Sequence, residues 1–302
     1  MSQPISAGIY PMLYAFFDGQ GRLRMDAFRK HIDAVLAADA TGIAMLGLGT
    51  EVSRLSTDER IQVLDVVSQY VAGRAPLLVT VFGSTTEVQI DFAQRAVDAG
   101  ASALLLQPPV TDTDQYHDES RLVHFFSKII ASVQCHVGIQ NATEFLGFGL
   151  SDDALIALAK RHNNFAIAKL ECSAVALQLV AEALKDSVMV FNGRCGLELP
   201  DNLRAGAQGL IPALETVDKT SAIYRTFVNG AQDDADKLYA DLLPTLSFIM
   251  QGIPHYLTYG KLIASMRLGI EFGGSRQPAL LPTDFGVRCA SQFANHLGKL
   301  EC

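Results

Sequence analysis

The chain has 302 residues, 49% of them hydrophobic and 19% charged, and a formal net charge of −8. That length and apolar share can bury one large core or two ordinary ones. An acidic balance without a long basic stretch excludes a surface built to track nucleic-acid phosphates, and no run approaches the roughly 18 apolar residues of a membrane span.

The opening MSQPISAGIYPM lacks a basic region followed by a sustained apolar segment, so no signal peptide is expected. The five cysteines (Cys135, Cys172, Cys195, Cys289 and Cys302) are scattered and show no CxxC spacing. They point to a reducing, cytoplasmic setting and away from a disulfide framework or a zinc knuckle.

Along the chain, short apolar runs recur at 8–17, 42–47, 76–82, 102–107, 135–140, 164–170, 187–192 and 207–213. Most are apolar throughout, which is the pattern of parallel strands covered on both faces. Helical periods fill the gaps. In MDAFRKHIDAVLAA, Phe28, Ile32, Val35 and Leu36 share a face. STDERIQVLDVV opens with the capping-box spacing of Ser56 and Glu59, Ser84 and Glu87 repeat it, and Ser151 is a third N-cap. Eight strand-helix units predict a (β/α)8 TIM barrel over 1–230. The rival, an open doubly wound sheet, more often carries a glycine fingerprint after its first strand, and GQGRLR is not GxGxxG. Segments 233–252, 255–269 and 283–299 read as helices, giving a C-terminal helical extension over 231–302 packed on the barrel. GGSRQPALLPTD reads as a loop.

In such a barrel the active site lies at the C-terminal ends of the strands. The residues there are Tyr14, the GLGTEVS loop (47–53), QPPV (107–110), Gln140 with Asn141, Lys169 with Glu171, and Asn192 with Arg194. Lys169 stands out, a charged group inside the apolar run NFAIAKL. By the two-residue period Phe165, Ile167, Lys169 and Glu171 share one face, and Ala166, Ala168 and Leu170 the other. If the first face points inward, desolvation favours the neutral amine, which attacks a ketone or aldehyde to form a Schiff base. The plainer alternative is a strand-end lysine pointing to solvent or pairing with Glu171.

The glycines of GLGTE could let backbone N–H groups hold a carboxylate, or only ease a turn. Glu51 could orient neighbours or act as an acid or base, or simply approach a helix. Arg194 could bind an anionic group, or be a surface arginine. His136 reads as a core or strand histidine, and Cys172 and Cys195 as small buried hydrophobes rather than reactive thiols. No histidine spacing suits a metal, and no P-loop or GxSxG appears, so neither metal nor cofactor is expected.

These residues resemble the dihydrodipicolinate synthase/N-acetylneuraminate lyase family of class I aldolase barrels. The resemblance lies in GIYPMLYAFFDGQGRL, GIAMLGLGTEVSRLSTDER, GRAPLLVTVFGSTTEVQIDFAQRAVDAGASALLLQPP, IAKLE, FNG and GLIPAL, over roughly residues 7 to 270. It implies an imine on Lys169, a substrate site including Leu48, Gly49, Thr50, Gln140, Asn192 and Ile211, and a small 2-oxo acid substrate. It also implies a homo-oligomer, dimer or tetramer.

Departures from the family pattern are as informative. Gln140 stands where the family has the fifth-strand tyrosine, and an amide cannot do its acid–base work. Leu48 and Gly49 replace a threonine pair, Val110 replaces a tyrosine, and Phe145 stands near an arginine of the lysine-biosynthetic members. IQNAT, KLE and LTYGK are similar to segments of the L-2-keto-3-deoxyarabonate dehydratase branch. The expected activity is therefore dehydratase or aldolase on a 2-keto-3-deoxy sugar acid, with Glu171 carrying protons ahead of Tyr14, Thr50 or water. The alternative is a degenerate barrel that binds a carbonyl ligand without turnover.

Overall fold

Eight short strands follow one another in the computed structural model, which describes residues 3–109 and 114–302. They are β1 (Gly8–Ile9), β2 (Ile43–Met45), β3 (Leu77–Val81), β4 (Ala103–Leu106), β5 (His136–Asn141), β6 (Phe165–Leu170), β7 (Met189–Asn192) and β8 (Gly209–Leu210). All pair in parallel in the order β1-β8-β7-β6-β5-β4-β3-β2. Met12, just past β1, bridges to both Ala44 and Ala213, so the sheet closes on itself. The helices between strands are α1 (Met25–Ala37), α2 (Thr57–Val71), α3 (Thr86–Asp98), α4 (Glu119–Ser132), α5 (Thr143–Leu146), α6 (Asp152–Arg161), α7 (Ala174–Leu184) and α8 (Leu199–Arg204). After β8 come α9 (Val217–Val228), α10 (Gln232–Ile249), α11 (Ile253–His255), α12 (Lys261–Leu268) and α13 (Asp284–Leu297). This is a (β/α)8 barrel with C-terminal helices.

The apolar runs form strands because both of their faces are covered. Met12, Ala44, Leu78, Ala103, Leu105, Ile167, Phe191 and Ile211 fill the inside of the ring. Their chain neighbours Ile43, Met45, Val79, Leu104, Leu106, Ala168 and Leu170 pack outward against the helices. A fully buried aliphatic or aromatic side chain stabilises by about 1.5–3 kcal/mol, so slipping a strand by one residue would forfeit much of that.

The strand-face expectation needs one correction. Val137 of β5 pairs with Phe165, but the next residue, Gly138, pairs with Ile167. Ala166 is therefore an extra residue, a bulge, and the alternation resets there. Phe165 packs outward in the outer core while Ile167 packs inside the ring.

Of the three expected N-caps, two form as expected and one is displaced. Ser56 and Glu59 form a reciprocal capping box at α2, and Ser151 accepts from the Ala154 N–H at 3.2 Å. At α3 the cap is Thr85, one residue later than expected, accepting from the Val88 N–H at 3.3 Å. Three residues after Thr85 stands a valine, which cannot complete a box. Phe28, Ile32 and Val35 of α1 are buried, and Leu36 packs beside them, partly buried.

Candidate active site

The C-terminal rim of the strands opens into a cavity of about 570 Å³ whose walls include Lys169, Glu171, Gln140, Gly49, Ile211 and Tyr256. Two residues past the bulge reset, Lys169 lies on the inner face, in register with Gln140 of β5 and Phe191 of β7. It is only 5% exposed, and its Nζ sits 2.6 Å from Glu171 Oε1. The carboxylate fixes the amine's position and is the nearest base for its proton.

Glu171 is held in turn from three sides. Its Oε2 accepts the Arg194 backbone N–H at 2.8 Å, and Gln140 Nε2 approaches Oε1 at 3.5 Å. Gln107 donates to Gln140 Oε1 at 3.3 Å. A Cβ at Gly193 would lie 2.4 Å from the Glu171 carboxylate, so only glycine leaves room for it. The adjoining turn carries three non-glycine residues with left-handed backbone, Arg194 (φ 48°), Cys195 (φ 56°) and Glu198 (φ 57°). Strained backbone of this kind persists where the surroundings over-determine it.

Two of the expected substrate contacts do not reach the cavity. Asn192 is in register with Leu170, on the outward face. Its side-chain amide donates to Cys172 O at 2.8 Å and Asn202 Oδ1 at 2.9 Å. The Thr50 hydroxyl points back into the fold, donating to Leu13 O at 2.6 Å and accepting from the Leu46 N–H at 3.0 Å. Leu48, Gly49, Gln140 and Ile211 do line the cavity. In the loop after β2, Glu51 N–H bonds Leu48 O and Val52 N–H bonds Gly47 O. Among the described residues the Leu48 and Gly49 N–H groups have no partner in that loop. Val110 falls outside the described residues.

Glu51 is 1% exposed and serves as an anchor. It bonds the Lys261 ammonium and the Arg54 guanidinium, the latter at 3.0 Å. Arg194 is paired with Glu198 at 2.6 Å. His136 opens β5 and is exposed rather than in the core. Burial pushes the Cys172 thiol up to about 11 and holds that of Cys195 well above its usual range, which disfavours the reactive thiolate in both.

Sequence reasoning named Tyr14 but missed the two groups beside it, Glu215 and Tyr256. Tyr14 is fully buried and donates to Glu215 Oε2 at 2.8 Å, and its ring lies 5.6 Å from that of Tyr256. Burial raises the Glu215 carboxyl to about 7, against the opposing Tyr14 hydrogen bond and Arg267 charge. Burial, helped by Glu215, also lifts both phenols well above their ordinary value, so they stay protonated. The only hint in the sequence is that a carboxylate follows the eighth apolar run closely.

A closed parallel ring with a buried lysine-carboxylate pair at its C-terminal mouth is the architecture of a barrel lyase. Residues 5–280 match the dihydrodipicolinate synthetase family, and the chain belongs to it. Members of this family are class I aldolase-type lyases that work through a lysine. The chain is 25% identical over 252 residues to the L-2-keto-3-deoxyarabonate dehydratase of Azospirillum brasilense, covering 82% of this chain and 80% of that protein. It is 26% identical over 243 residues to the 4-hydroxy-tetrahydrodipicolinate synthase of Methanosphaerula palustris, covering 78% and 81%. In fold it is similar to a catalytic-lysine mutant of the sialic acid aldolase of Ruminococcus gnavus, with a TM-score of 0.86, 17% identity and coverage of 97% and 95%.

Proposed function

We propose that this lyase acts on a 2-keto-3-deoxy sugar acid, as a dehydratase or an aldolase, through an imine on Lys169. The observation that carries the reading is the Lys169 amine, 5% exposed at the cavity floor and 2.6 Å from the carboxylate that can take its proton. The amine attacks the C2 ketone, and the oxygen leaves as water. The iminium then draws electrons from C3. In dehydration Glu171 accepts the C3 proton and returns a proton to the C4 hydroxyl, which departs as water as a C3–C4 double bond forms. In aldol cleavage the C3 protons stay in place: Glu171 takes the C4 hydroxyl proton, and the C3–C4 bond breaks to leave an aldehyde and an enamine, which is then protonated at C3. Leu48 and Gly49, through their backbone N–H groups, and Gln140 and Ile211 bind the substrate, while Thr50 and Asn192 support the walls from behind.

The cavity, about 570 Å³, falls within the ~300–1,000 Å³ of small-molecule sites and favours a sugar-acid chain over pyruvate alone. Five unpaired cysteines favour a cytoplasmic enzyme. Val175 and Leu179, one turn apart on α7 and 85% and 69% exposed, favour assembly with further copies of the chain.

Incubation with pyruvate followed by borohydride is expected to attach a reduced pyruvyl group to Lys169, located by peptide mass, and Lys169→Ala to lose both the adduct and activity. An adduct on another lysine, or none with any 2-oxo acid, overturns the reading. A panel of 2-keto-3-deoxy acids then separates water release from pyruvate release. Gln140, which cannot relay protons, favours the second reading, a barrel that binds a carbonyl ligand without turnover. That reading is upheld if Lys169 is trapped but no substrate is consumed.

A further inference from the structure

Among the described residues lining the cavity, only Ser53 and Tyr256 carry a hydroxyl. Ser53 is exposed, whereas Tyr256 is 5% exposed. Tyr256 comes from the far end of the chain, as the first residue of a π-turn, Tyr256–Gly260. Turns of this kind are rare and gather at functional sites.

The phenol is aimed at the loop after β2. A Cβ built on Gly49 would lie 2.5 Å from Tyr256 Oη and 3.6 Å from its Cζ. The Gly49 backbone is not left-handed, so glycine is needed there for space rather than for conformation. The hydroxyl therefore stands where a side chain at position 49 would otherwise project, against a loop in which the Leu48 and Gly49 N–H groups make no bond to another residue of the loop. Behind it the same device recurs. A Cβ at Gly260, the last residue of the π-turn, would lie 2.7 Å from Tyr14 Oη, so that glycine admits the hydroxyl that bonds Glu215.

We infer that Tyr256 is a substrate-binding residue, its phenol O–H joining the Leu48 and Gly49 N–H groups to hold the carboxylate of the 2-oxo acid bound to Lys169. Tyr14 and Glu215 are its positioning residues. The assignment rests on the imine reading and adds to it a hydroxyl donor that the C-terminal tail brings to the cavity. A neutral phenol suits this task, since it donates one hydrogen bond and adds no charge to repel the anion.

The test is a titration of borohydride trapping with pyruvate, read at Lys169 by mass. Tyr256→Phe removes one oxygen from an otherwise unchanged ring. It is expected to raise the half-saturating pyruvate concentration about tenfold to hundredfold, the usual weight of a hydrogen bond to a charged group, while the plateau yield stays the same. Gly49→Ser in the native background drives its Cβ against Tyr256 Oη and should also weaken capture. In the Tyr256→Phe background that contact is gone and only the 3.0 Å approach to Met12 Cγ remains, so Gly49→Ser should weaken capture less there than in the native background. An unchanged half-saturation in Tyr256→Phe overturns the assignment, and so does a Gly49→Ser loss as large in the Tyr256→Phe background as in the native one. If the native protein is not trapped by pyruvate or any other 2-oxo acid, the imine reading itself has failed, and the assignment falls with it.

Discussion

Glu215 has been taken wholly out of water, and its Oε1 has no hydrogen-bond partner among the described residues. Its carboxyl rises to about 7 in the fold against an ordinary 4.5. Between those two values the folded protein keeps a proton that the unfolded chain has released. The linked stability is fully present below pH 4.5 and is lost as the pH climbs through 7, up to a bound of about 3 kcal/mol at 1.36 kcal/mol per unit. Glu215→Gln cannot ionise and should flatten that slope. Thermal melts are expected to show the variant gaining on the native protein from pH 5 to pH 8, and a gap that stays constant across the range would refute the account. From the sequence, both Lys169 and Glu171 were visible as polar residues breaking an apolar strand. Glu215 and Tyr256 were not, because neither interrupts a strand and what makes them notable lies in contacts 201 residues apart, Tyr14 to Glu215, or across the cavity from Gly49.

At the level of elements, legibility follows how local the cause is. All eight strands could be read because covering both faces demands apolar residues along the whole run. Ser56 and Ser151 could be read because a cap needs only its own first turn. The shift from Ser84 to Thr85 could not, because the run Ser84, Thr85, Thr86 offers several hydroxyls and packing chooses among them. The bulge at Ala166 was also hidden. One extra residue leaves composition unchanged, yet it decides that Phe165 goes out while Ile167 stays in. Asn192 was misplaced for the same kind of reason, since the register of β7 on β6 sets its face. The caps offer a clean comparison. Ser56→Ala and Thr85→Ala should each cost about 1 kcal/mol in urea denaturation. Ser84→Ala should stay within about 0.5 kcal/mol, as an exposed residue outside the cap does. Equal losses at 84 and 85 would return the cap to the position expected from the sequence.

For the whole molecule, the question is whether the C-terminal helices are an appendage or part of the barrel's core. Three cations answer it. Lys261 is fully buried, bonds Glu51 and donates to Ala15 O at 3.1 Å, among the rings of Phe16, Phe17 and Phe272. Arg267 of α12 pairs with Asp218 of α9 at 2.9 Å. Arg276 bonds Glu59 of α2 and the Gly21 carbonyl, the latter at 2.9 Å and 3.0 Å. The tail thus bonds the start of the barrel, the loop after β2 and the helix after β8, and it contributes Tyr256 to the cavity. Breaking a buried pair leaves an uncompensated charge, whereas replacing both partners with apolar groups often costs nothing. Glu51→Ala should therefore destabilise by about 3–5 kcal/mol, and Glu51→Leu with Lys261→Met should recover most of it. Because Glu51 belongs to the barrel and Lys261 to the tail, the Glu51→Ala loss should appear in urea as one shifted transition reported alike by barrel and tail probes. Two separated transitions would make 231–302 an independent unit. A single one means that residues 1–230, expressed alone, lack both a wall of the cavity and the tail partners of Glu51, Glu59 and Asp218.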